Sequence, residues 1–197
     1  MAKKTFKGGT LLAPLPPAMV SCGDMENSNI ITIGWTGILN STPPVTYISV
    51  RPSRFSHHII KESGEFVINL TSEELVRAAD YCGIFTGAKV DKFEKCGLTK
   101  EPATEVACPM IAEAPMSIEC RVREVHTLGT HDVFVADILA VNVKDELVDG
   151  SGKIRMDKAA LAAYTHGEYF ALGRKLGTFG FSAAKKKKRK PQAKKQS

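Results

Sequence analysis

Between residues 27 and 70 the chain packs three β-rich runs, a Pro43-Pro44 break and a cluster of arginines and serines. Residues 30–38, 45–50 and 66–70 are rich in Ile, Val, Thr and aromatics and are bounded by Gly, Asn and Pro, so they read as strands. Pro43-Pro44 ends one run and starts the next, because proline lacks a ladder N–H and restricts the residue before it. Arg51 and Arg54 alternate with Ser53 and Ser56 where the second strand gives way to a helix-like segment, residues 55–62. Forked cationic donors, hydroxyls and a helix N-terminus together suit a phosphate. Upstream, Thr32, Trp35 and Thr36 offer polar and aromatic groups to a flat ring. The segment thus reads as a site for a phosphorylated, planar molecule, although a plain strand-to-helix loop capped by Ser53 would also account for it.

Strand signals continue downstream. Residues 117–123 alternate, with Ile118, Cys120 and Val122 on one face and Glu119, Arg121 and Arg123 on the other. Residues 131–143 form a second long run, joined to the first through residues 127–130 as a hairpin, and residues 149–152 mark a turn. Helices look short and peripheral. Ser72 can cap one running towards Tyr81, and Asp91 can open a single turn that Gly97 stops. Asp157 can cap another over residues 158–166, ended by Gly167. Short antiparallel strands with scattered helices imply a closed or partly closed β-barrel. No G-x-G-x-x-G links a strand to a helix, which excludes a nicotinamide-binding Rossmann unit.

The formal net charge of +6 misleads, because residues 185–197 hold eight of the 27 basic residues and no acidic one. The remainder carries 19 basic residues against 21 acidic, a net charge of −2 that makes nucleic acid an improbable partner. The tail itself reads as disordered, leaving residues 1–184 as one domain. Five cysteines without a C-x-x-C pair match neither a zinc site nor a disulfide framework. They fit reduced thiols in a cytoplasmic protein. Lys3, Lys4 and Lys7 precede an apolar stretch, but Pro14, Pro16 and Pro17 interrupt it as a signal helix, and no apolar run reaches membrane-spanning length.

Several strings, in order and spacing, carry a family likeness. They are N-I-I-T-I-G-W-T at 29–36, S-T-P-P-V at 41–45, S-V-R-P-S-R-F-S at 49–56 and G-E-F-V-I-N-L at 64–70. D-Y-C-G-I-F-T-G at 80–87, V-D-K-F-E-K-C-G-L at 90–98, L-G-T-H-D-V-F-V at 128–135 and L-G-x-x-L-G-T-F-G-F at 172–181 follow. Over residues 10–182 the chain resembles the flavin-reductase-like, FMN-binding split-barrel family, and within it the flavoredoxin branch. The resemblance implies a mainly β fold: a six-stranded antiparallel Greek-key split barrel with short flanking helices. It also implies a homodimer with FMN in a groove between subunits.

What the resemblance implies for residues follows the same strings. Arg51, Ser53, Arg54, Phe55 and Ser56 would take the FMN phosphate. Asn29, Thr32, Gly34, Trp35, Thr36 and Gly37 would face the ring, with glycines letting backbone N–H groups approach it, and Ser41 would support them. Trp35 either stacks on the ring or fills core space. Thr86, Gly87 and Lys92 lie on a loop that would reach across the dimer, with Lys92 offsetting charge near N1 and O2 of the reduced ring. His131 is the candidate catalytic residue, placed to orient a donor or handle a proton. His57 and His58 have no metal partner at matching spacing and read as structural, and no metal site is expected. Cys82 and Cys96 flank the flavin-facing loop but read as buried free thiols. The implied activity is electron transfer through bound flavin from NADH, NADPH or a protein redox partner. The alternatives are a flavoredoxin-type carrier without reductase activity, or a non-catalytic split barrel holding haem or another planar ligand.

Overall fold

Gly34 and Trp35 bend out of the ladder and split the run at residues 30–38 into two strands. The computed structural model describes residues 1–183, so the lysine-rich tail and its expected disorder lie outside the described residues. In chain order the strands are β1 (Ala18–Gly23), β2 (Ser28–Ile33), β3 (Thr36–Ser41), β4 (Pro44–Val50), β5 (Glu65–Asn69), β6 (Lys100–Glu101), β7 (Met110–Ile111), β8 (Met116–Thr127), β9 (Asp132–Val143), β10 (Ala162–Thr165) and β11 (Glu168–Ala171). The α-helices are α1 (Phe55–Ser63), α2 (Val76–Ile84) and α3 (Lys92–Cys96).

Seven strands pair antiparallel in the order β2-β1-β5-β8-β9-β4-β3. One core cluster draws Val20 from β1, Ile31 from β2, Ile48 from β4, Phe66 from β5, Cys120 from β8 and Phe134 from β9. Strands remote in pairing order therefore share an interior, so the sheet curls round it. Its edge strands β2 and β3 do not pair with each other, which leaves the barrel open among the described residues. The expected count of six is thus corrected to seven. The additional strand is β3, which follows the bend at Gly34 and Trp35, runs mostly exposed and adds no side chain to the core cluster.

β1 was not legible as a strand. Ala18, Val20 and Cys22 enter the main core, while Met19 packs into a second cluster with Ile30, Leu75, Ala79, Cys82 and Phe93 beneath α2 and α3. Buried on both faces, it shows no alternation of polar and apolar residues. α1 runs as expected, sends Ile60 into the core and ends on Gly64, whose φ of 68° closes a hydrogen bond to Ile60 O. Asp91 caps α3 by accepting from Glu94 N at 3.1 Å.

The expected helix over residues 158–166 is a second correction. A single 3-10 turn, Met156–Lys158, precedes the hairpin β10–β11. His166 and Gly167 both take positive φ, the conformation a two-residue hairpin turn needs. Tyr164 exchanges backbone hydrogen bonds with Leu15, and Ala162 N donates to Thr71 O. These pairings override the helix preference of the alanines. No helix among the described residues is long and apolar enough to cross a membrane.

Candidate functional site

The end of β2 and the end of β4 lie side by side, with Ser49 N donating to Trp35 O at 3.0 Å. β2 then leads into Gly34 and Trp35, while β4 leads through Arg51 and Arg54 into α1. Across them packs α2, pinned where Thr32 Oγ1 donates to Ala79 O at 2.5 Å. These elements enclose a cleft of about 340 Å³. Residues 31–35 form one wall and Ser49, Val50, Arg51 and Arg54 a second. Asp80, Gly83 and Ile84 of α2 form a third. Leu15 and Pro17 complete the lining with Tyr164 and Tyr169 of the β10–β11 hairpin.

His131 enters this cleft just before β9, its ring 4.7 Å from Trp35 and inclined at 35°. Thr130 Oγ1 and His131 Nδ1 are 2.9 Å apart. Desolvation and the nearby Arg51 guanidinium both hold the imidazole below its ordinary pKa, so it is mainly neutral at pH 7. Tyr169 donates its hydroxyl to Asp80 Oδ1 at 3.2 Å. Burial and the Asp80 carboxylate push the phenol up to about 12.

A smaller cavity of about 70 Å³ adjoins the cleft and shares Ile31, Arg54 and Gly83 with it. Its polar groups are Ser53 and Ser56 at the start of α1, Asn29 from β2, Thr86 after α2, and Lys92 at the start of α3, with Ile31, Phe55 and Phe85 completing the lining. Asn29 Nδ2 donates to the buried Ser56 Oγ at 2.7 Å. Gly87 packs so tightly here that a Cβ would stand 2.2 Å from Asn29 Oδ1 and 2.7 Å from Phe55 Cδ1. Lys92 is 3% exposed and donates to Ile30 O at 2.6 Å and Cys82 O at 2.8 Å. No acidic side chain occupies the first turn of α1.

Of the residues singled out in the sequence, Thr32, Gly34, Trp35, Arg51, Arg54 and His131 meet in the cleft. Asn29, Ser53, Arg54, Phe55, Ser56, Thr86, Gly87 and Lys92 meet in the smaller cavity. Thr36, Gly37 and Ser41 line neither. The bend at Trp35 carries β3 away, where Thr36 Oγ1 donates to Tyr47 O at 2.6 Å and Gly37 packs on the Tyr47 ring. Lys92 donates to carbonyls of its own chain and lines the smaller cavity with the serines. Sequence reasoning missed Leu15, Asp80, Tyr164 and Tyr169. The tyrosines flanking the His166-Gly167 turn were the available signal, hidden by reading that stretch as helix. His57, read as structural, is buried against Asp132. Among the described residues no cluster of three or more metal-ligating side chains forms.

The flavin reductase like domain family matches residues 11–173. An uncharacterized protein of Archaeoglobus fulgidus is 37% identical over 144 residues, 73% of this chain and 80% of that protein. The solved structure of flavoredoxin of Desulfovibrio vulgaris (Miyazaki F) superposes with a TM-score of 0.84 at 31% identity, covering 93% of this chain and 100% of that one. The FMN reductase (NADH) RutF of Agrobacterium fabrum is 24% identical over 110 residues, 55% of this chain and 61% of that protein.

Proposed function

The chain belongs to the flavin reductase like domain family, and we propose that it binds FMN and passes electrons through it from a reduced nicotinamide or a protein donor. The observation that carries this reading is the junction of the two cavities. A cleft lined by Trp35, Tyr164, Tyr169 and His131 adjoins, with Arg54 and Gly83 lining both, a small cavity holding Ser53, Ser56, Thr86 and Lys92. A planar ring and a phosphate on one ligand demand such a pair of neighbouring sites. A phosphate brings roughly −1.5 to −2 charges near neutral pH and three acceptor oxygens. Arg54, Lys92 and the hydroxyls match it in charge and donor count.

When bound, the flavin supplies the reversible uptake of electrons and protons. The chain's own groups bind, orient and compensate charge. Arg54 and its neighbours anchor the phosphate, while Ile31, Ile33, Ile84 and the tyrosines exclude water from the cleft. Arg51 would supply positive charge to the cleft, where a reduced ring would become anionic. His131, mainly neutral at pH 7, can accept or hand on a proton at the ring nitrogen not engaged by Thr130.

A second reading, an electron carrier without nicotinamide-dependent activity, draws support from the end-to-end match to a flavoredoxin. The test is the visible spectrum of the purified protein under anaerobic NADH or NADPH. Bleaching of bound FMN on a turnover timescale supports the reductase, and a flavin indifferent to both nucleotides supports the carrier. A colourless protein that takes up haem but not FMN would sink both.

We further place the working form as a homodimer in the cytoplasm. Ile38 and Leu39 on β3 and Val141 on β9 leave apolar surface exposed for a second copy. All five cysteines are free thiols, which suits a reducing compartment. A protein redox partner fits the carrier reading, whereas the charge balance of the body supports neither a nucleic-acid nor a membrane partner.

A further inference from the structure

The Cys82 thiol on α2 donates a hydrogen bond to the Cys96 sulfur on α3. Cys82 belongs to the core cluster beneath those helices, and Cys96 packs against it. The two sulfurs open on different surfaces. Cys82 lines the small cavity, whereas Cys96 lines a separate groove beside α2 and α3 with Tyr81 and Leu98. Of the five cysteines, Cys96 alone is not buried. A small oxidant from solvent therefore meets Cys96 first, and finds a second thiol already in contact with it.

We propose that Cys82 and Cys96 form an oxidation-sensitive dithiol, which a hydroperoxide converts to an intrachain disulfide that tethers the loop at residues 85–91. The order of attack follows from the surroundings. Burial raises both thiols, Cys82 to about 12. On Cys96 the hydrogen bond from Cys82 and the Lys92 ammonium oppose that rise, so Cys96 ionises first. Its thiolate attacks one oxygen of the hydroperoxide and the O–O bond breaks. The Cys96 sulfur is oxidised to a sulfenic acid, and the other oxygen leaves as an alcohol, or as water from hydrogen peroxide, with the proton the thiol gave up. The Cys82 sulfur then attacks the Cys96 sulfur. An S–S bond forms, and the sulfenic hydroxyl departs as water with the Cys82 proton. Two thiols have lost two hydrogens, and the hydroperoxide has taken up both electrons. The bridge closes the segment that brings Phe85, Thr86, Gly87 and Lys92 to the small cavity, and such closure limits the freedom of the enclosed chain. A dithiol reductant reverses it by exchange.

The experiment treats reduced, full-length protein with a small excess of hydrogen peroxide and counts thiols after denaturation. The five thiols are expected to fall to three, with the intact mass lower by two hydrogens and a Cys82–Cys96 cross-linked peptide in the digest. Dithiothreitol should restore all five. Cys82→Ser should stop at a Cys96 sulfenic acid that dimedone traps, and Cys96→Ser should keep its remaining thiols. Amide exchange over residues 85–91 should slow when the parent is oxidised and recover when it is reduced. Five unreacted thiols, a cross-link through any other cysteine, or a Cys96 sulfenic acid that the parent leaves unresolved overturns the proposal. Loop exchange that oxidation leaves unchanged does so too. Should either serine variant fail to fold, the parent's digest and exchange decide. None of these readouts requires flavin, so the outcome is independent of what the cleft binds.

Discussion

His57 Nε2 lies 2.8 Å from Asp132 Oδ2, with both side chains at least nine-tenths buried, and the contact ties α1 to the first residue of β9. α1 begins at the arginine–serine cluster, and β9 begins one residue after His131. One buried contact therefore fixes the spacing between that cluster and His131. The hydrogen bond from His57 is the main cause holding the Asp132 carboxyl below the usual carboxylate range.

Because the folded pKa of Asp132 is depressed, its contribution to stability is present above the unfolded carboxylate pKa. It is lost as pH falls through the folded value. His57→Ala leaves that carboxylate buried without its partner and is expected to cost roughly 3 kcal/mol near neutral pH. The deficit should shrink in acid. Urea unfolding of parent and variant at pH values from about 7 down to about 3 checks both size and sign.

Arg51 and Arg54 should separate by function. Arg54→Ala is expected to weaken FMN binding roughly ten- to hundredfold while leaving riboflavin nearly unaffected. Arg51 lines only the ring cleft and bears on His131, so Arg51→Ala should move the imidazole pKa up towards its ordinary value. NMR titration of the His131 ring reads this directly. An unmoved or lowered pKa would show that Arg51 does not face the histidine.

Gly87→Ala places a methyl group within van der Waals overlap of Asn29 and Phe55, neither of which is the loose end of a flexible chain. Such overpacking costs on the order of 1–3 kcal/mol. It also displaces the Asn29 amide from Ser56, so FMN affinity should fall alongside the melting temperature. Flavin titration and thermal unfolding of one preparation test whether the two move together.

Glu119 on β8 is fully buried. Burial pushes its carboxyl up, but hydrogen bonds from Thr104, Glu105 and Asn142 outweigh this and leave the pKa below the usual value. That stabilisation is present above the unfolded pKa and lost as pH falls through the folded one. Glu119→Gln should therefore destabilise the protein at neutral pH and do so less in strong acid. Denaturant midpoints at pH values of about 7 and about 3 give the comparison.

Much of the architecture was legible because local chemistry specified it. The alternation at residues 117–123 places Cys120 inward and Arg121 outward, as in β8. Asp91 and Gly97 bracket α3, and the arginine–serine cluster precedes α1 as read. β1 was not legible, because a strand buried on both faces carries no period. The β10–β11 hairpin was not legible either, because alanines favour helix until Leu15 and Thr71 offer backbone partners from distant segments.

Part of the site was readable from residue types alone. Arginines, serines, a glycine-flanked tryptophan and a turn histidine occur where strand and helix signals fix the local backbone, and their chemistry does not depend on distant contacts. How those groups divide depends on contacts between distant segments. The fold carried Thr36, Gly37 and Ser41 away on β3, brought Tyr164 and Tyr169 into the cleft, and buried Lys92 in the smaller cavity. The reason is physical: the burial of Lys92 against carbonyls from β2 and α2, and the pairing of the β10–β11 hairpin with Leu15, arise from packing between segments far apart in the chain. No local pattern of residue types encodes such packing.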